Sequence, residues 1–217
     1  MTNKSLEHHC PLCKTVVTDL FYQDKRDYYR CSNCLLVFVP AQQFLSLEKE
    51  KTMYDHHKNS PDDPYYRHFL SRLFTPLQQH ISPQSHGLDF GSGPGPTLSV
   101  MLEEAGHQMN IYDVFYAPDN KVLEQDYDFI TASEVVEHLH QPAEELERLW
   151  SCLKPGGILG IMTKRVIDQE AFSHWHYKND LTHVCFFSIE TFQWLADYWG
   201  SSLSFPEKDV ALFLKKS

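Results

Sequence analysis

Apolar residues change period several times along the chain, and each change marks an element. Residues 16–30 form an apolar and aromatic stretch broken by Gln23-Asp24-Lys25-Arg26-Asp27, the pattern of a two-stranded hairpin. Residues 41–62 are polar and charged and read as a connector. Asp63-Pro64 then opens a helix, with proline at the first helical position, where its missing N–H costs nothing. Phe69, Leu70, Leu73, Phe74, Leu77 and Ile81 follow at helical spacing, and Pro76 is expected to kink or shorten that helix. From His86 onward short apolar runs alternate with helical patterns. Strands are predicted at 87–90, 107–113, 127–133 and 156–163, and helices at 97–105, 142–153 and from Ser188 to Gly200. Residues 203–216 read as a closing β-hairpin.

Strands alternating with helices predict an α/β fold with a mostly parallel sheet and a C-terminal antiparallel hairpin. Three regions follow: a small N-terminal module over 1–40, a connector and helix over 41–84, and the α/β domain over 85–217.

Charge and cysteine content sharpen this picture. The formal net charge is −10, a poor footing for non-specific nucleic-acid binding. Lys164, Arg165, Lys215 and Lys216 read as solvated strand ends. No apolar run is long enough to span a bilayer, and the first ten residues lack an apolar signal core, so a cytoplasmic protein with no membrane partner is expected. Four of six cysteines form two CxxC pairs, Cys10/Cys13 and Cys31/Cys34, separated by seventeen residues. A hairpin of that length returns the second pair to the first. Four thiolates in tetrahedral array suit a structural Zn²⁺ with no open position. His8 and His9 read as exposed terminal residues, and Cys152 and Cys185 as small core hydrophobes.

The run Asp89-Phe90-Gly91-Ser92-Gly93-Pro94-Gly95 ends a strand in a glycine loop, which lets backbone approach a ligand closely. Asp113, at the end of the next strand and eighteen positions beyond Gly95, can accept hydrogen bonds from both hydroxyls of a ribose. The glycine order differs from the dinucleotide fingerprint G-x-G-x-x-G, which disfavours a nicotinamide-dependent dehydrogenase. It resembles motif I of class I S-adenosylmethionine (SAM)-dependent methyltransferases. Three further segments resemble the same superfamily in order and spacing: residues 127–139 (YDFITASEVVEHL), 153–159 (LKPGGIL) and 183–188 (HVCFFS).

That resemblance implies a Rossmann-like sheet carrying SAM across the C-terminal ends of its strands. Asp89, Gly91, Ser92, Gly93 and Gly95 would back the methionine part of the cofactor. Asp113 would hold the ribose, Val114 and Phe115 would cover the adenine face, and Thr131 to Glu134, Ser133 included, would line the other side. Only thirteen residues separate Asp113 from Tyr127, too few for the helix and third strand usual in the family, so the sheet is expected to be shortened there.

Methyl transfer from a sulfonium is an in-line displacement, and a base is needed only where the acceptor must lose a proton. His138, His183 and His176 are the candidate bases, with Glu134 and Glu137 weaker ones. The aromatic and imidazole-rich segment 172–183 is the candidate acceptor loop. The leading expectation is a methyltransferase with a small-molecule acceptor. One alternative is an RNA-base methyltransferase whose ribbon grips RNA through Lys14, Lys25, Arg26 and Arg30, which the acidic balance disfavours. Another is a non-catalytic zinc-ribbon adaptor with a degenerate methyltransferase domain.

Overall fold

The computed structural model describes residues 8–17, 19–56 and 59–216. The N-terminal module contains β1 (His8–His9), β2 (Val16–Val17), β3 (Leu20–Gln23), β4 (Asp27–Arg30) and β5 (Val37–Phe38). The predicted hairpin is β3–β4, paired antiparallel with Gln23 opposite Asp27. His8 is not a free terminal residue: β1 pairs with β2, and the His8 ring lies 4.3 Å from that of Tyr29.

The connector is more ordered than its polarity implies. It holds α1 (Leu47–Tyr54), followed by α2 (Pro64–Gln78). Helix α1 has almost no apolar stripe, which is why periodicity misses it. It is anchored by polar and aromatic contacts: buried Glu50 accepts from His140 Nε2 at 2.7 Å, and the Tyr54 ring packs edge-on against His138 at 5.4 Å. Helix α2 begins as predicted, with the Asp63 carboxylate accepting from Tyr65 N at 2.8 Å. Pro76 lies in its last turn, and the helix ends two residues later at Gln78.

The α/β domain runs β6 (His86–Phe90), α3 (Thr97–Glu104), β7 (Gln108–Tyr112), β8 (Tyr127–Ser133), α4 (Pro142–Ser151), β9 (Leu153–Met162), α5 (Gln169–Ser173), β10 (Cys185–Phe186), α6 (Ile189–Trp199), β11 (Ser202–Glu207) and β12 (Val210–Leu214). The six-stranded sheet has the order β11-β12-β9-β8-β6-β7. β7, β6, β8 and β9 are parallel; β12 and β11 continue the sheet antiparallel. β7 is the sheet edge: residues 113–126 supply one isolated bridge and a 3-10 turn over Asn120–Glu124 instead of a third strand. The Ser188 hydroxyl caps α6 by accepting from Thr191 N at 3.1 Å, and Gly200 ends it at φ +63°.

Two apolar layers sandwich the sheet. On one face Leu70, Leu73 and Leu77 of α2 and Leu98 and Leu102 of α3 pack on Phe129, Ile158 and Leu212. On the other, Leu146 and Leu149 of α4 and Phe192 and Leu195 of α6 join Leu159, Ile161 and Phe213. This second core runs without interruption into the N-terminal module through Tyr28, Leu36, Val37 and Phe38, and it includes Cys152 and Cys185. β10 pairs antiparallel with β5, so a strand of the α/β domain completes the module's own four-stranded sheet. The division at residue 40 is therefore one of sequence; the packing crosses it. Among the described residues no helix is long and apolar enough to cross a membrane.

Candidate active site and cysteine centre

The two CxxC turns are built alike. Cys10 N donates to Thr15 O and Lys14 N to Cys10 O, both at 2.9 Å; Cys31 N donates to Leu36 O at 2.9 Å and Leu35 N to Cys31 O at 3.1 Å. In each turn the residue after the second cysteine is left-handed, Lys14 at φ +63° and Leu35 at φ +59°. The turns bring one Sγ from each of Cys10, Cys13, Cys31 and Cys34 within 4.8 Å of the others. The nearest pairs are 3.3 Å (Cys13–Cys31) and 3.5 Å (Cys10–Cys34), well beyond a disulfide bond and close to the ~3.8 Å edge of a tetrahedron with Zn–S of about 2.3 Å. The donor set, its closure and its burial fit a structural Zn²⁺. Uncompensated, the same packing pushes the Cys34 thiol well up, because Cys10 crowds it and burial disfavours the thiolate.

At the C-terminal ends of β6 and β7 the glycine loop is shaped by its neighbours. Gly91 has φ +73°, and a Cβ there would overlap the Val135 side chain; Gly93 has φ +64°. Gly95 lies against the backbone carbonyl of Asn59, so the segment before α2 rests on the loop. Asn59 Nδ2 donates to Tyr66 Oη at 3.1 Å. Asp113 organises the crevice: its Oδ2 accepts from Gly93 N at 2.9 Å, and its Oδ1 from Phe115 N at 2.8 Å and Tyr116 N at 3.0 Å. Asp89 lies deeper. Its Oδ1 accepts from Thr131 Oγ1 at 2.8 Å, and burial pushes its pKa up to about 6. Ser92 Oγ, Ser133 Oγ and Glu134 Oε1 are buried without hydrogen-bond partners. Buried polar atoms of that kind at a glycine cradle fit a polar ligand and suit the cofactor. Val114, expected over the adenine, is largely exposed; its neighbour Phe115 packs against Tyr54 of α1 at 5.7 Å.

Opposite the loop, Glu134 sits at the end of β8 in a left-handed conformation, φ +53°. Tyr177 Oη lies 3.5 Å from Glu134 Oε2, 3.2 Å from Thr163 Oγ1, and donates to the fully buried Glu137. Burial, followed by repulsion from Glu137, raises the Glu134 pKa to about 8. Behind them the His138 and His183 rings meet at 4.6 Å. His183 Nδ1 is 2.7 Å from Tyr177 O, and burial, then His138, lowers its pKa to about 4. His176 stands apart, 3.4 Å from Lys164 Nζ. Lys164 and Arg165 are not solvated strand ends. Lys164 lies over the Tyr177 ring at 5.1 Å, and Arg165 lies over Phe205 at 4.6 Å with Nη1 buried and unpartnered.

Segment 172–183 packs on the N-terminal module. Phe172 meets Phe21, Tyr22 and Tyr28 at 5.1–5.9 Å. Arg26, 6% exposed, donates to Lys178 O at 2.7 Å and to Asp180 O and Leu181 O at 3.0 Å, and Lys178 pairs with Asp24. Tyr177 and Arg26 were missed as organisers of this site. Tyr177 lay within the flagged aromatic segment, but Arg26 reads locally as an ordinary turn charge. Its partners lie about 150 residues away. A separate groove of about 580 Å³ lies between the first cysteine turn, α4 and α6, away from the glycine loop.

The family described as "Methyltransferase domain" matches residues 54–200, about two thirds of the chain. No curated protein matches the sequence. Among solved structures, the chain is similar to a Burkholderia thailandensis 1,6-didemethyltoxoflavin-N1-methyltransferase with bound 1,6-didemethyltoxoflavin and S-adenosylhomocysteine. The identity is 15%, the TM-score 0.51, and the match covers 90% of this chain and 98% of that one. It is also similar to SAM-dependent methyltransferases of Thermotoga maritima (14% identity, 78% and 96% covered, TM-score 0.43) and Archaeoglobus fulgidus (19%, 64% and 75%, 0.47).

Proposed function

Because the chain belongs to the methyltransferase-domain family, within the class I SAM-dependent superfamily, we propose that it methylates a small-molecule acceptor bound between the glycine loop and the Tyr177–His183 segment. SAM supplies the methyl group as an electrophile on sulfur. The protein's share is position and exclusion of water. Gly91, Ser92, Gly93 and Gly95 form the floor for the methionine part, with Asp89 beneath them. Asp113 draws the loop in through Gly93 N and presents its carboxylate to the ribose. Ser133 and Glu134 close the other wall. Burial raises the pKa of the Glu134 carboxyl, and a cation placed beside it would draw its proton off.

The observation that carries the acceptor class is the fate of the ribbon's cations. Arg26 is buried on backbone carbonyls, Lys14 lies 3.8 Å from Glu144, and Arg30 lies over the Phe21 ring. Arg26 is thus spent inside the molecule and Arg30 is half-buried, which leaves the exposed Lys14 and Lys25 on a chain of net charge −10, a poor footing for tracking phosphates that favours a small acceptor over RNA. In this reading Zn²⁺ on Cys10, Cys13, Cys31 and Cys34 holds the ribbon, and the ribbon holds the acceptor segment. Where the acceptor must lose a proton, His138, His183 or His176 takes it so long as the ring's lone pair is not held by a cation.

The test is methyl incorporation from labelled SAM into fractionated cell extract. Label is expected in the low-molecular-weight fraction and unaffected by nuclease. Label confined to nuclease-sensitive material would establish the RNA reading instead.

A further inference from the structure

Glu137 has a structural peculiarity that methyl transfer alone does not require. The residue is fully buried; one oxygen accepts from Tyr177, while Oε2 is enclosed with no hydrogen-bond partner. Two imidazoles converge on it. One ligand atom each from Glu137, His138 and His183 lie within 4.8 Å of one another.

The two rings are held in the same manner. His138 Nδ1 lies 3.2 Å from Thr182 O, and His183 Nδ1 lies 2.7 Å from Tyr177 O. A carbonyl oxygen can only accept, so Nδ1 carries the proton in both rings, and in the neutral ring Nε2 carries the lone pair. His183 Nε2 then faces another acceptor, Asp180 Oδ2, at 3.8 Å, while Asp180 Oδ1 is occupied by Thr182 N and Oγ1. The nearby cations are engaged elsewhere: Lys178 with Asp24, Arg26 with carbonyls, Lys164 beside His176. The cluster is thus a convergence of lone pairs and carboxylate charge. Imidazoles fixed through Nδ1 by backbone carbonyls are what metal-ligating histidines show.

We propose that Glu137, His138 and His183 form a second metal site, for a hard or borderline divalent cation, on the acceptor side of the crevice. One carboxylate and two imidazoles are an oxygen and nitrogen donor set, chemically distinct from the four thiolates of the ribbon. Three protein ligands leave coordination positions for oxygens of an acceptor or for water. The link to an oxygen-bearing acceptor rests on the methyltransferase reading, whereas cation binding does not.

Mn²⁺ tests the site, because thiolates disfavour it and the ribbon of the zinc-loaded full chain is already filled. Titrated Mn²⁺ is followed by loss of the free-ion electron paramagnetic resonance signal. One Mn²⁺ per chain is expected, weakened roughly tenfold or more in Glu137→Gln and in His183→Gln and unchanged in Glu144→Gln beside the ribbon. Circular dichroism and zinc content verify that each variant folds. Should neither site variant fold, pulsed resonance on the wild-type complex replaces them, with imidazole nitrogen couplings expected. A free-ion signal unaffected by protein up to millimolar Mn²⁺ would overturn the proposal. So would equal affinity in a folded Glu137→Gln variant, or bound Mn²⁺ without nitrogen coupling. SAM binding measured without Mn²⁺ in the same preparation separates failure of this site from failure of the methyltransferase reading.

Discussion

The two walls of the crevice are assembled in different ways. The cofactor wall is local: β6, the glycine loop, α3 and β7 follow one another in sequence, and Asp113 reaches Gly93 N across twenty residues. The acceptor wall is distant: Tyr177 to His183 are held by Arg26, Asp24 and Tyr28, about 150 residues earlier. The first wall needs only a strand, a turn and a helix. The second needs the cysteine ribbon. A ribbon that looks like an appendage in sequence is therefore the back half of the wall proposed for the acceptor.

The largest effect is expected from removing the Zn²⁺ proposed for the cysteine centre. Chelation, or Cys34→Ser, should collapse the ribbon and the core it shares with α4 and α6, lowering stability by several kcal/mol. A melt followed by zinc content would detect it. If the ribbon were an appendage, the α/β domain would keep its melting temperature.

Arg26→Met should cost about 3 kcal/mol, since three backbone carbonyls lose a charged donor together. Its signature should be asymmetric: acceptor KM rises while SAM affinity holds. Gly91→Ala addresses the other wall. The left-handed φ and the overlap with Val135 should cost about 1–3 kcal/mol, with SAM binding weakened. The asymmetry of the Arg26 variant should then reverse.

A pH dependence is confined to a narrow window. The Asp89 pKa is raised by burial from 3.8 to about 6. The folded chain thus holds a proton that the unfolded chain releases. Asp89 leaves stability untouched below about pH 4 and subtracts from it as pH climbs from 4 to 6, by up to about 3 kcal/mol. Asp89→Asn should flatten the melting temperature over that window. An unchanged slope would mean that Asp89 ionises normally in its site.

The same division governs what could be read from sequence. The boundaries of β6, β7 and β8, the Asp63 and Ser188 caps, the Gly200 stop and the missing third strand were legible because each is written in neighbouring residues, whereas β9 begins at Leu153, three residues before the predicted strand. Four cysteines at paired spacing likewise pointed to one centre. Helix α1 was not legible, because Glu50 and Tyr54 are anchored by His140 and His138 rather than by an apolar stripe. Nor was the burial of Arg26, whose partners no local pattern reveals, or the joining of β5 to β10, which carries strand pairing across residue 40. Val114 was expected over the adenine from its position after Asp113, yet the turn closed by Phe115 N and Tyr116 N leaves it exposed.

The central claim is that the Gly91–Gly95 loop and Asp113 hold SAM. It is tested most directly by titrating SAM and S-adenosylhomocysteine into zinc-loaded protein by calorimetry, beside a folded Asp113→Ala variant. Micromolar binding by the wild type is expected, weakened roughly tenfold or more by the substitution, as follows from losing a charged hydrogen-bond acceptor. Absence of binding by the folded wild type, or equal affinity in Asp113→Ala, would contradict it.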